Sequence, residues 1–287
     1  MVRNQVGTGR NASKMRTYAG RAAALLLLAS ISAPATTAIT PPEGIPAPAL
    51  VRATPALWQV SDADTTIYLF GTFHTLDGRT AWLDERVRQA FDGSDELVLE
   101  TVVPADRVAM QATADKQVSE TSANGTRQLK PYFAGTQNVM SQGRELGFSV
   151  DHGADAVLRR LAEDSGKPVG GLERFEDQLG QLARIPAPAA AEPTAPAITV
   201  TLKDLLSAWS NGDTAAFSTM LRGFEAKSPV AYRMLITDRN ARWGQWIEQR
   251  LEKPGTVFVA VGTGHLAGKD SVQQWLAARG IESTRIG

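Results

Sequence analysis

Cysteine is absent from all 287 residues, which excludes disulfides, thiolate nucleophiles and sulfur-ligated metals. Charge of one sign is lacking as well. Thirty lysines and arginines balance thirty aspartates and glutamates, and no long basic stretch occurs, so nothing in the composition invites a nucleic acid. Histidine is scarce, with only His74, His152 and His265. Long apolar runs are missing after the first thirty or so residues, so no later segment is suited to span a bilayer.

The exception near the start is informative. Arg16 and Arg21 precede the apolar run AAALLLLASIS at 22–32, and SAPATTA follows. Basic, then apolar, then small is the layout of a secretory signal. The run is shorter than the roughly 20 residues that cross a membrane. Residues 1–38 therefore read as a signal peptide, cleaved after Ala35 or Ala38, with Met15 as an alternative start. An uncleaved membrane anchor is the other reading. The expected mature protein is periplasmic or secreted, with no transmembrane segment once the signal is removed.

Residues 39–55 are proline-rich and read as a linker; one α/β domain follows over 56–287. A second proline-rich stretch, IPAPAAAEPTAPA, predicts a surface loop over 185–199 or else a boundary before a helical segment at 200–252. Around it, helix and strand signals alternate. Strands are predicted at 66–70, 96–100, 167–170 and 256–261, with 281–286 closing the sheet. Helices are predicted at 81–91, 151–163 after a turn, almost all of 201–252, and 269–279. This alternation argues for a largely buried sheet flanked by helices, and the helical insert argues against a simple doubly wound layout.

Two of the three histidines end matching motifs. Gly71 stands three residues before His74 in IYLFGTFHTL, and Gly262 three before His265 in VFVAVGTGHLAG. Both follow strand candidates, and side chains just past the carboxyl end of such strands face the crevice where ligands bind. The glycines, Gly264 among them, are expected to supply backbone conformations that only glycine adopts cheaply. Glu100 ends ELVLE in the same relative place. Two imidazoles and a carboxylate with open positions are a common hydrolytic metal site, which makes His74, Glu100 and His265 the candidate ligands. Each taken singly reads better as a hydrogen-bonded structural residue; it is the trio in matching contexts that reads as a site. His152 lacks the motif and reads as a turn or surface residue.

The ordered set of WQV, IYLFGTFH, ELVLE and VGTGHLAG resembles the TraB/PrgY/GumN family, which includes the Tiki proteins. GADAVL, GKPVGGLERFEDQL, WSNGD and RNARW resemble it too, so the likeness covers the whole mature domain. The resemblance implies a mixed α/β sheet with pseudo-symmetric halves, related to erythromycin esterases and ChaN-like proteins. It implies a metal-dependent protease using both histidines and the glutamate with a divalent ion, manganese, cobalt or zinc. Two alternatives stay open. TraB and PrgY relatives are associated with pheromone inhibition, which fits capture of a peptide without catalysis. Erythromycin-esterase-like hydrolysis needs no metal, because a histidine activates water directly.

Five further polar residues are candidates. Glu173 is a second acid, acting as ligand or general base, or else a carboxylate favoured near a helix start. Arg239, with Asn240, orients a substrate carbonyl or the carboxylates, or pairs structurally with Glu173 or Glu100. Asp151 and Asp155 are outer partners or, for Asp155, a helix start. Trp209, Trp243 and Trp246 read as core.

Overall fold

The computed structural model describes residues 50–104, 112, 115–116, 118–121, 127–130, 133, 141, 143–185 and 200–286. The predicted signal segment, most of the linker 39–55 and nearly all of the loop 185–199 lie outside these residues. The strands are β1 (Val51–Arg52), β2 (Leu57–Ser61), β3 (Thr65–Thr72), β4 (Thr80–Ala81), β5 (Glu96–Thr101), β6 (Ser119–Thr121), β7 (Arg127–Leu129), β8 (Val169–Glu173), β9 (Gly255–Gly262) and β10 (Thr284–Arg285). The helices are α1 (Glu85–Asp92), α2 (Ala154–Asp164), α3 (Phe175–Leu182), α4 (Leu202–Ser210), α5 (Ala215–Lys227), α6 (Pro229–Tyr232), α7 (Asp238–Leu251) and α8 (Val272–Ala277).

Six strands form the central sheet in the order β10-β2-β3-β9-β5-β8. The four strands β3, β9, β5 and β8 run parallel, while β2 and β10 are antiparallel to their neighbours. The domain is therefore mixed α/β, and the chain's last segment does pair at the sheet edge. The final residues of the proline-rich segment already belong to the folded body. Val51 N–H donates to the Arg79 carbonyl, and Ala53 is buried.

Side-chain alternation along the strands divides the core in two. Val257, Val259 and Val261 of β9 join Ile67, Leu69 and Val98 on one side, where Trp243 and Ile247 of α7 and Val272 and Leu276 of α8 cover them. Phe258 and Ala260 join Phe70, Leu97 and Leu99 on the other, against α1 to α5. Glu100 follows Leu99, so it falls on the α7 side. A carboxylate is thereby carried into the core, where Arg239 of α7 supplies its charged partner.

The helices are shorter than periodicity predicts, for local reasons. Asp84 caps α1 by accepting from Val87 N–H, so the helix begins at Glu85. Ser271 caps α8 in the same way. The stretch 201–252 is broken at Gly212, whose φ of 65° suits glycine, and again at Pro229. A π-helical turn, Arg233–Thr237, leads directly into α7.

Candidate functional site

The carboxyl ends of β3, β5, β8 and β9 lie side by side, and each delivers a polar side chain. His74 follows β3 by two residues. Its placement depends on the segment before α2. Leu76 and Ser149 form a bridge, and Ala154 N–H donates to the Phe73 carbonyl. Gly153 passes so close that a Cβ there would collide with the His74 carbonyl. This approach, open only to glycine, sets Asp155 in the first turn of α2 against His74. Asp155 Oδ2 lies 2.8 Å from His74 Nδ1, and Asp155 Oδ1 accepts from the Thr72 hydroxyl at 2.6 Å. Burial works to raise the Asp155 pKa, but the His74 charge and the hydrogen bonds from His74 and Thr72 outweigh it and hold the carboxyl below its ordinary range.

His265 sits in a 3-10 turn, Thr263–Leu266, directly after β9, and is fully buried. Gly264 is buried in the same turn. Asn240 Oδ1 lies 2.6 Å from His265 Nδ1, and Arg239 Nη1 lies 3.2 Å from His265 Nε2. The ring rests on Trp243, with centroids 4.4 Å apart. Burial first, then the charges of Arg239 and His74, keep its pKa well below the ordinary histidine value.

Arg239 occupies the centre. Its Nη2 donates to Glu100 Oε1 at 2.6 Å, and its Nε lies 3.0 Å from both oxygens of Glu173. The two carboxylates overcome the cost of burial and hold its pKa above the ordinary value. Trp243 lies beneath it, 4.6 Å from guanidinium carbon to ring centre, a cation–π contact. Glu100 also accepts from Gln178 Nε2 at 3.1 Å and, through Oε2, from Gly262 N–H at 3.2 Å. Glu173 accepts from the half-exposed Arg242 at 2.9 Å. A cavity of about 330 Å³ opens beside Glu173, between Val102, Pro104, Leu172 and Phe175.

The structure thus brings together His74, Glu100, Glu173, Arg239, Asn240 and His265. It leaves out Asp151, which is exposed, and His152, which is exposed and rests on Gly78 instead. The glycines of the two motifs need a different explanation from the one first expected. None of Gly71, Gly262 and Gly264 has a positive φ. What they supply is room. A Cβ on Gly71 would lie 2.8 Å from Thr263 Oγ1, and one on Gly262 would lie 2.8 Å from His74 Nε2 and 3.5 Å from Glu100 Oε2. Each motif's glycine makes space for the other motif.

Sequence reasoning did not select Gln178, Thr72 or Thr263 and assigned Trp243 to the core alone. Nothing local marks the first three, because their partners are remote in the chain. Trp243 is indeed buried, but its face carries both His265 and Arg239.

The donor types His74, Glu100 and His265 suit a divalent ion, but their arrangement does not. Among the described residues no three His, Asp or Glu side chains form a ligand set. The reason is Arg239. Its guanidinium engages His265 Nε2 and Glu100 Oε1, and Arg239 and Arg242 together balance the charge of Glu100 and Glu173. A dication would have to displace a buried cation that is already paired.

Two comparisons bear on ancestry. The family model described as TraB/PrgY/gumN matches residues 56–124 and 102–285. The uncharacterized protein YbaP of Escherichia coli (strain K12), and its counterpart of the same name in Shigella flexneri, are each 25% identical over 236 residues. The alignment covers 73% of this chain and 87% of theirs. No solved structure matches.

Proposed function

The chain belongs to the TraB/PrgY/gumN family, and on that footing we propose that it is an exported hydrolase of a peptide or other amide bond, with His74 as its proton acceptor. The observation that carries this reading is the His74–Asp155 pair at 2.8 Å, with His74 Nε2 turned toward the space above Gly262 that Glu100 also borders. A carboxylate behind an imidazole orients the ring and stabilises the imidazolium that forms when it takes a proton. His74 Nε2 accepts a proton from water as the water oxygen bonds to the amide carbonyl carbon. The proton then passes to the departing amine nitrogen as the carbon–nitrogen bond breaks. Glu100, Arg239 and Glu173 form a charge-balanced wall beside this event. Glu173 is poorly placed to act as the base, because both its oxygens lie 3.0 Å from Arg239 Nε and one accepts from Arg242, so we assign that work to His74.

A second reading keeps a manganese, cobalt or zinc ion bound by His74, Glu100 and His265. In its favour, both histidines are held through Nδ1 by an oxygen, as ligating histidines usually are. It requires Arg239 to withdraw from His265 and Glu100, and no step above depends on it. We further infer kinship with the erythromycin-esterase and ChaN-like folds. The support is that β3 and β9 are adjacent and parallel, with Gly71 opposite Val261 and Thr72 opposite Gly262, as equivalent strands of two halves would be.

The test is incubation of purified protein with a peptide library, with products read by mass spectrometry with and without a chelator. Cleavage insensitive to chelation supports the first reading, and cleavage abolished by it supports the second. Intact peptide retained on the protein would mean a binding module instead.

A further inference from the structure

The two histidines occupy equivalent places in the two motifs, yet their surroundings differ. Asn240 Nδ2 donates to two carbonyls, those of Asp270 at 2.6 Å and His265 at 3.3 Å. The amide orientation is therefore fixed with Oδ1 facing His265 Nδ1, and an amide oxygen only accepts. On the other side of the ring, Arg239 Nη1 only donates. Both neighbours demand the same form: Nδ1 protonated, Nε2 bearing the lone pair. For His74, the ionised Asp155 carboxylate accepts from Nδ1 through Oδ2 and from the Thr72 hydroxyl through Oδ1. Thr72 in turn offers its carbonyl to the Thr263 hydroxyl at 2.9 Å, which ties this network to the second motif.

From these contacts we infer that Asp155 and Asn240 lock both histidines in the Nδ1–H tautomer and so divide their work. His74 presents Nε2 beside Gly262, whereas His265 Nε2 accepts from Arg239. His265 is then a positioning residue. It fixes the guanidinium that joins Glu100 to Glu173, and it takes no proton in the reaction. The division of labour rests on the hydrolase reading, but the tautomers do not, and they can be measured without any substrate.

The experiment uses the full-length protein labelled with ¹⁵N-histidine, and two- and three-bond proton–nitrogen correlation spectra. Three histidines give three ring patterns, assigned through His74→Gln and His265→Gln. The expected result at neutral to mildly alkaline pH is Nδ1 protonated and Nε2 unprotonated for both His74 and His265. Asp155→Asn, which can offer an N–H at the same place, should convert the His74 pattern wholly or partly to the opposite tautomer and leave His265 unchanged. Finding His265 with a proton on Nε2 in the unmodified protein would overturn the proposal, and so would a His74 pattern indifferent to Asp155→Asn. The spectrum of the unmodified protein decides the His265 assignment even if a variant fails to fold. Failure of peptide cleavage with the expected tautomers present would count against the hydrolase reading alone.

Discussion

A methyl group on Gly262 would stand 2.8 Å from Nε2 of His74, so the glycine of one motif exists to accommodate the histidine of the other. Residues nearly two hundred positions apart are in this way parts of one constriction. Gly71 returns the relation, since its own missing Cβ leaves space for Thr263.

Gly262→Ala should therefore abolish turnover while leaving the fold in place. The added carbon meets a side-chain nitrogen that can retreat, at the expense of the His74–Asp155 geometry. Circular dichroism with the peptide-cleavage assay checks both halves. Gly153→Ala should instead lower stability, by about 1–3 kcal/mol as for overpacked sites, because its new carbon meets backbone. Urea unfolding measures it.

Two other glycines separate crowding from helix propensity. Gly223, inside α5, has open space around it, so Gly223→Ala should raise stability by about 0.5–1 kcal/mol. Gly244, in α7, lies against the Trp275 ring, and Gly244→Ala should destabilise in spite of the better propensity. The sign difference between the two in thermal melts is the test.

Arg239→Met should be among the most damaging single changes. It leaves Glu100 and Glu173 buried without their shared cation, and breaking a buried pair costs about 3–5 kcal/mol. Glu100→Gln should cost less, since it removes a charge from an otherwise satisfied cluster. Chemical denaturation of both variants gives the comparison.

Acid should act on His265. Its folded pKa is depressed, so the unfolded chain binds the extra proton first. The stability that comes from keeping this ring neutral is complete above the unfolded value of 6.5. It is lost as pH falls below that value toward the folded pKa, at up to about 1.4 kcal/mol per pH unit for one proton. His265→Gln should flatten the slope of stability against pH between about 6.5 and 5; an unchanged slope would show that His265 does not contribute it.

Much of this arrangement is legible in the chain. Alternating apolar patterns place β3, β5 and β9, and the position of a histidine or glutamate at each strand's end predicts the convergence. The role of Gly71 and Gly262 is not legible, because spacing alone cannot distinguish a required φ from a required gap, and the gap is set by Thr263 and His74 across the sheet. Asp155 is ambiguous for a similar reason. It begins a helix, as its sequence context says, and it holds His74, which only the packing of Gly153 against β3 discloses. The central role of Arg239 is not decided by the sequence, since a buried arginine's partners depend on which strand faces α7. The donor types of His74, Glu100 and His265 are legible in the chain, whereas the guanidinium that engages both Glu100 and His265 is placed only by the packing of α7.

The most direct test of the account is peptide-library cleavage by the unmodified protein, by His74→Ala and by His152→Ala, each shown to be folded. The account predicts products from the unmodified protein and from His152→Ala and none from His74→Ala; cleavage that survives His74→Ala would contradict it.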